Sequence, residues 1–285
     1  MGRELPIFRS DSRSILSSTS GFIAEAGFTH SLTPARNCTY GCVYCYVPTL
    51  HVYGGLKRED WERWGQFTTF KSNAADLLRR QLRATQRIYC SPLVDPYQPA
   101  EASESMMPGI LEVVAAFPPA VFAIQTRGPL IERDLPLLEK LARVTRVRVS
   151  FSLTTNDDRI RAFYEPYCES VERRIATIRR LRDAGIEVYA TLAPLLPCDP
   201  EALASAAIEA TAGDLIGDPL HVRAVKASGA TTRAQAQRIA EKHGHTQWFE
   251  PAFQNTIVER IRRVAASRGR QFGIGTEGFA WLART

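Results

Sequence analysis

Several things are missing from this chain of 285 residues, and each absence narrows what it can be. No uninterrupted apolar run approaches the roughly eighteen residues that a membrane-crossing helix requires, so no transmembrane span is expected. The opening stretch MGRELPIFRSDSRSILSSTS has no compact apolar segment ending in small residues and does not read as a secretory signal. Pro6 stands where an N-myristoylation pattern calls for Ser or Thr. Cytoplasm is therefore the expected compartment. There is no G-x-G-x-x-G after a first strand and no G-x-x-x-x-G-K-[ST], so neither dinucleotide nor P-loop phosphate chemistry is indicated. Internal repeats and low-complexity tracts are absent too.

What is present is ordinary in bulk and uneven in detail. Apolar residues make up 45% and charged residues 23%, the balance of a soluble globular enzyme. The length allows one barrel-sized domain or two smaller ones. The formal net charge of +6 is modest, and its carriers recur as LLRRQLR, VERRIATIRRLR and VERIRRVAASRGR at helical spacing. The first reading of such runs is solvated helix faces. A nucleic acid partner is allowed by this charge without being singled out by it.

Short apolar or β-branched runs alternate with amphipathic helical patterns. The expected strands are THSLTP (29–34), RIYCS (87–91), AVFAIQT (120–126), RVRVSFSL (146–153), EVYATLAP (187–194), HVRAVK (221–226) and QFGIG (271–275). Between them, SNAADLLRRQLRA, PGILEVVAAF, DLPLLEKLAR, SVERRIATIRRLRDAG, DPEALASAAIEA and FQNTIVERIRRVAASRG carry helix caps, first-turn prolines and terminal glycines. This rhythm predicts an α/β fold: a partial (β/α)6 TIM-like barrel of parallel strands with helices outside. Residues 1–29 read as a polar lead-in and 30–285 as the barrel, with an irregular late region at about 212–250. In such a fold the working face lies at the C-terminal ends of the strands.

The cysteines are lopsided. Cys38, Cys42 and Cys45 are spaced C-x3-C-x2-C directly after the first expected strand, while Cys90, Cys168 and Cys198 stand apart. A tight cluster of this kind points to metal rather than disulfides. Three thiolates leave two choices. Zinc would take a fourth ligand, for which His51 is a candidate. A [4Fe–4S] cluster held by three cysteines keeps one iron free for a ligand from outside the protein.

The spacing, with Tyr44 just before the third cysteine, resembles the signature of the radical S-adenosylmethionine superfamily. NCTYGCVYCYVPTLHVYGGL, FKSNAADLLRRQL, DPYQPAE and EPYCESVERRIATIRRLRDAGI together resemble its spore photoproduct lyase-like branch, often labelled DNA repair photolyases, over roughly residues 30–195. The resemblance implies a reduced cluster that cleaves S-adenosylmethionine and a 5′-deoxyadenosyl radical that abstracts hydrogen from a substrate. It implies lyase or oxidoreductase chemistry, a reductant such as flavodoxin or ferredoxin, and a substrate that could be nucleic acid.

Carried over position by position, the resemblance makes Cys38, Cys42 and Cys45 the cluster ligands. Tyr44 and Tyr46 fall beside the cofactor's adenine, where they either relay a radical or simply pack. Cys90 falls where a hydrogen-donor cysteine is expected, and the alternative is a small buried hydrophobe. Ser150 and Ser152 alternate along one strand and so share a face, within reach of the cofactor, while Arg174 is a partner for its carboxylate, with Arg173 as competitor. Asp95, Tyr97, Gln98 and Glu101 shape the cofactor or substrate pocket. Cys168 and Cys198 read as structural. Two other functions compete: a radical enzyme acting on a peptide or small metabolite, and an iron–sulfur or zinc protein without catalysis, its fourth metal position filled by Cys90 or His51.

Overall fold

The computed structural model describes residues 5–49, 62–221 and 232–285. Its main sheet has eight strands in the order β11-β10-β9-β8-β7-β6-β3-β2. These are β2 (Leu16–Ser18), β3 (His30–Leu32), β6 (Arg87–Cys90), β7 (Val121–Thr126), β8 (Arg146–Ser152), β9 (Glu187–Leu195), β10 (Leu215–Pro219) and β11 (Phe272–Ile274). All neighbouring pairs are parallel except β2 against β3. Helices in the crossovers, among them Met106–Ala116, Val171–Asp183, Pro200–Thr211 and Pro251–Ser267, make the expected β-α rhythm. Among the described residues the sheet stays open, with β11 and β2 at its edges.

Register explains how the sheet is buried. Ile88, Phe122 and Val147 are partners across β6, β7 and β8, as are Cys90, Ile124 and Val149. Both rows belong to the large core with the helix residues Leu78, Val114, Leu141, Ile178, Leu203 and Ile261. Residues one position along point to the other face. There Tyr89, Val121, Ala123 and Ile216 form a second cluster with Phe28 and the C-terminal Phe279, Trp281 and Leu282. Arg148 on this face donates to the carbonyls of Leu282 and Arg284, clipping the C-terminal segment beneath the sheet.

Two stretches add to the expected order of elements. The lead-in is folded: β1 (Ile7–Ser10) pairs in parallel with β5 (Thr68–Lys71), and β2 edges the main sheet. These strands are short and carry no apolar run, so pattern alone does not reveal them. The expected strand 221–226 falls, apart from His221, outside the described residues, and β10 lies earlier, at Leu215–Pro219. Its Gly217-Asp218-Pro219 imitates a turn. The glycine is demanded by packing, because a Cβ there would sit 2.4 Å from the Phe272 ring.

Candidate radical site at the rim of the sheet

The three cysteines lie on the loop that leaves β4 (Ala35–Arg36), beyond the C-terminal end of β3. Asn37 starts the loop in the left-handed region (φ 63°), which Asn tolerates better than most residues. Its Oδ1 accepts from the amides of Cys38 (2.8 Å) and Gly65 (2.9 Å). Amide bonds from Gly41 to the Cys38 carbonyl and from Cys45 to the Cys42 carbonyl, both 3.1 Å, fold the loop back on itself. Gly41 and Gly65 meet backbone to backbone: a Cβ on Gly65 would lie 2.5 Å from the Gly41 Cα.

The DPYQPAE element holds this loop. Gln98 Oε1 accepts from the Thr39 amide (2.7 Å) and hydroxyl (3.0 Å), and the Tyr40 hydroxyl donates to the Tyr97 carbonyl (3.1 Å). Asp95 accepts from the Thr126 hydroxyl (2.6 Å), the Arg127 amide (2.8 Å) and the Tyr97 amide (2.9 Å). Glu101 accepts from the Met107 amide (2.8 Å) and Arg133 (2.9 Å). All four side chains or backbones of this element are thus engaged in building the rim.

A buried ionic network stands behind the third cysteine. The Tyr44 hydroxyl donates to Glu165, and Arg127 donates to both Tyr44 and Glu165. Thr154 donates to the same carboxylate oxygen (2.9 Å), while Arg174 takes the other oxygen and also donates to the Glu169 carbonyl (3.2 Å). Glu165 is fully buried and Arg174 is 1% exposed. Burial alone would raise the Glu165 carboxyl, but the Arg174 and Arg127 guanidinium groups outweigh it and hold it down to about 2. Arg127 also lies 5.7 Å from the Tyr44 ring centroid.

The other expected residues are placed as follows. The Tyr46 hydroxyl donates to the Pro92 carbonyl (2.6 Å), so the two flanking tyrosines reach different supports. Ser150 shares a 2.6 Å hydrogen bond with Thr191, on the face opposite Val149 and Phe151. Ser152, the last residue of β8, has a buried hydroxyl with no hydrogen-bond partner among the described residues, as does Ser91 just beyond β6. Cys90 is completely buried in the helix-side core, which raises its thiol pKa through burial.

Sequence reasoning missed Arg127 and Glu165, and did not foresee that Cys168 stands beside the loop. Arg127 directly follows a strand, and Glu165 and Cys168 both lie in the quoted EPYC stretch. The Cys168 Sγ is 4.0 Å from that of Cys42. A hydrogen bond from Cys168 lowers the Cys42 thiol against the opposing effect of burial, whereas burial raises Cys38.

Three thiols on one loop are soft ligands of the kind that iron–sulfur clusters and zinc both take. Among the described residues no three His, Cys, Asp or Glu side chains gather as ligands of one metal ion, and His51 lies outside those residues. The unpartnered hydroxyls of Ser91 and Ser152 at the strand ends fit a polar ligand at the rim.

The comparisons agree with this geometry. The model of the Radical SAM superfamily matches residues 32–202, more than half of the chain. An uncharacterised protein of Mycobacterium tuberculosis is 32% identical over 181 residues, 61% of this chain and 52% of the relative. One from Methanocaldococcus jannaschii is 28% identical over 160 residues, 56% of this chain and 58% of the relative. The chain spans about half the length of the curated relatives it matches. Among solved structures, a spore photoproduct lyase superposes with a TM-score of 0.62 at 14% identity, over 94% of this chain and 81% of that one. The lyase complexed with dinucleoside spore photoproduct gives 0.61 at 13% identity, with the same coverage. At such identity the likeness is one of fold. Taken with the cysteine loop at the rim, the family match over residues 32–202 establishes that this chain belongs to the radical SAM superfamily.

Proposed function

We propose that the protein is a radical S-adenosylmethionine enzyme of the photoproduct-lyase-like kind, with Cys38, Cys42 and Cys45 holding a [4Fe–4S] cluster. The observation that carries this reading is the three-cysteine loop, locked onto the C-terminal rim of a parallel sheet by Asn37, Gln98 and Tyr40. When bound, the cluster and S-adenosylmethionine supply one-electron reductive cleavage and hydrogen abstraction from an unactivated C–H bond.

The chain's own residues supply position and exclusion. Glu165, fixed by Arg127 and Arg174, holds the Tyr44 hydroxyl, so the ring beside the cluster loop has one orientation. Arg174 acts through that carboxylate. Tyr46 covers the β6 end through Pro92, and Ser150 and Ser152 present hydroxyls for the cofactor. Asp95, Tyr97, Gln98 and Glu101 act by holding the rim. Cys90, sharing its row with Ile124 and Val149, contributes packing. A nucleic acid substrate, with an external one-electron reductant, is supported by the fold likeness to a lyase solved with a dinucleoside photoproduct, and the net charge of +6 is compatible with it.

The test is ligand assignment. The purified chain is loaded anaerobically with iron and sulfide, and iron, sulfide and the reduced-state paramagnetic signal are measured. Wild type, Cys90→Ala and Cys168→Ala should load a cluster, and Cys38→Ala, Cys42→Ala and Cys45→Ala should not. Equal loading without the three loop cysteines, or one tightly held zinc instead, would overturn the assignment.

A further inference from the structure

Beside the cysteine loop lies a second, smaller sheet of order β1-β5-β4, which the radical chemistry leaves unused. One face is dry: Ala35, Thr68 and Phe70 are buried in it. The opposite face follows from register. Thr69 of β5 is partnered by Phe8 of β1 and by Arg36 of β4, so these three side chains share that face. Lys71, Ser10 and Phe67 join them by the two-residue period.

Contacts agree with this assignment. Phe8 and Phe67 meet edge to face at 6.1 Å, and Arg63 lies 5.2 Å from the Phe67 ring centroid. Phe8 is nevertheless 51% exposed, one of few large apolar side chains so open among the described residues.

Two cations share this face, Arg36 and Lys71. Several other arginines of the fold meet a carboxylate, among them Arg9 with Glu104, Arg133 with Glu101, Arg173 with Glu132 and Arg260 with Glu201. Arg36 and Lys71 lie close enough to repel one another, yet neither has an ion pair among the described residues. Burial pushes the Lys71 ammonium down to about 8, and Arg36 adds to that. Two adjacent, partly buried cations without a counter-charge are costly unless an anion joins them.

We propose that this face is a docking surface for single-stranded nucleic acid, with a phosphate seated between Arg36 and Lys71 and a base stacked on Phe8. An aromatic side chain beside unpaired cations on an open sheet face is the combination that binds single strands with little sequence preference. The spacing of charges and ring along one sheet suits a strand better than a free phosphate, which would not use Phe8. Because Arg36 leads through Asn37 straight into Cys38, a strand held here runs toward the rim. The inference rests on the nucleic-acid reading for its class of partner and is independent of the radical step.

The test is fluorescence anisotropy of a labelled oligothymidylate of about twelve nucleotides with cluster-loaded wild type, Phe8→Ala, Lys71→Gln and, as a control on the helix Pro251–Ser267, Arg262→Gln. Phe8→Ala is expected to weaken binding about tenfold. Lys71→Gln should reduce the salt dependence by close to one released counterion, a slope change of about 0.7. Arg262→Gln should leave both unchanged. Wild-type binding that neither Phe8→Ala nor Lys71→Gln weakens would overturn the surface and leave the nucleic-acid reading standing. No binding by wild type that still releases 5′-deoxyadenosine would overturn both, and leave the radical reading intact. Circular dichroism and equal cluster content keep misfolding from imitating either result.

Discussion

The helix-side layer of the main sheet and the rim above it are made from the same strands and behave as opposites. Ile88, Phe122, Ile124, Val149 and Phe151 sit in an apolar layer, each completely buried. A few residues further along the same strands come Asp95, Arg127, Ser152 and Thr154, and there the interior is ionic and hydroxylic. The layer gains stability from area removed from water. The rim gains it only while every charge keeps its partner. One sheet thus carries an insensitive support and a conditional site.

The largest expected effect comes from breaking the rim. Glu165→Gln leaves Arg127 and Arg174 without their shared carboxylate and should cost about 3–5 kcal/mol in denaturant unfolding. A loss under about 1 kcal/mol would mean that the network is not organised around this residue. In the layer, Ile124→Ala should cost about 2–5 kcal/mol through transfer and cavity terms. The two losses are separable by pH. Glu165 is held below the ordinary carboxylate range, so its contribution is fully present above the unfolded value of about 4.3. It is lost as pH falls through the folded value of about 2. Acid titration of stability should therefore lose part of its steepness below pH ~4 in Glu165→Gln and keep its wild-type shape in Ile124→Ala.

A finer distinction lies along β8. Ser150→Ala removes the partner of the Thr191 hydroxyl and should cost about 1 kcal/mol. Ser152→Ala removes a buried hydroxyl with no partner among the described residues, so stability should be unchanged or slightly raised. Its effect should fall on S-adenosylmethionine affinity instead, read by equilibrium dialysis against the loaded protein. Equal destabilisation by the two substitutions would mean that the Ser152 hydroxyl is as engaged within the protein as that of Ser150 and is not held for a ligand.

Much of the layer could be read from sequence, because continuous β-branched runs and capped amphipathic helices report burial directly. Five expected strands recur at β3, β6, β7, β8 and β9 within a residue or two, and QFGIG contains β11. The rim was legible only where spacing is diagnostic, at Cys38, Cys42 and Cys45. Arg127 and Glu165 are 38 positions apart and meet only in the fold, and no local pattern announces such a pair. That Cys168 packs beside Cys42 was not legible, because the two are 126 positions apart. Arg174 was singled out as a partner for the cofactor carboxylate, and its buried ion pair with Glu165 was not legible. Cys90 was placed correctly on a strand, while its face follows from register with Leu32 and Ile124, which sequence alone does not fix.

The most direct measurement of the central claim is 5′-deoxyadenosine release. The cluster-loaded protein is reduced with dithionite under anaerobic conditions in the presence of S-adenosylmethionine, and the product is quantified by chromatography. Wild type and Cys90→Ala should release it, and Cys42→Ala should not. Release that persists in Cys42→Ala, or none from wild type with a reduced cluster and bound S-adenosylmethionine, would contradict the assignment of the cysteine loop as the radical-generating site.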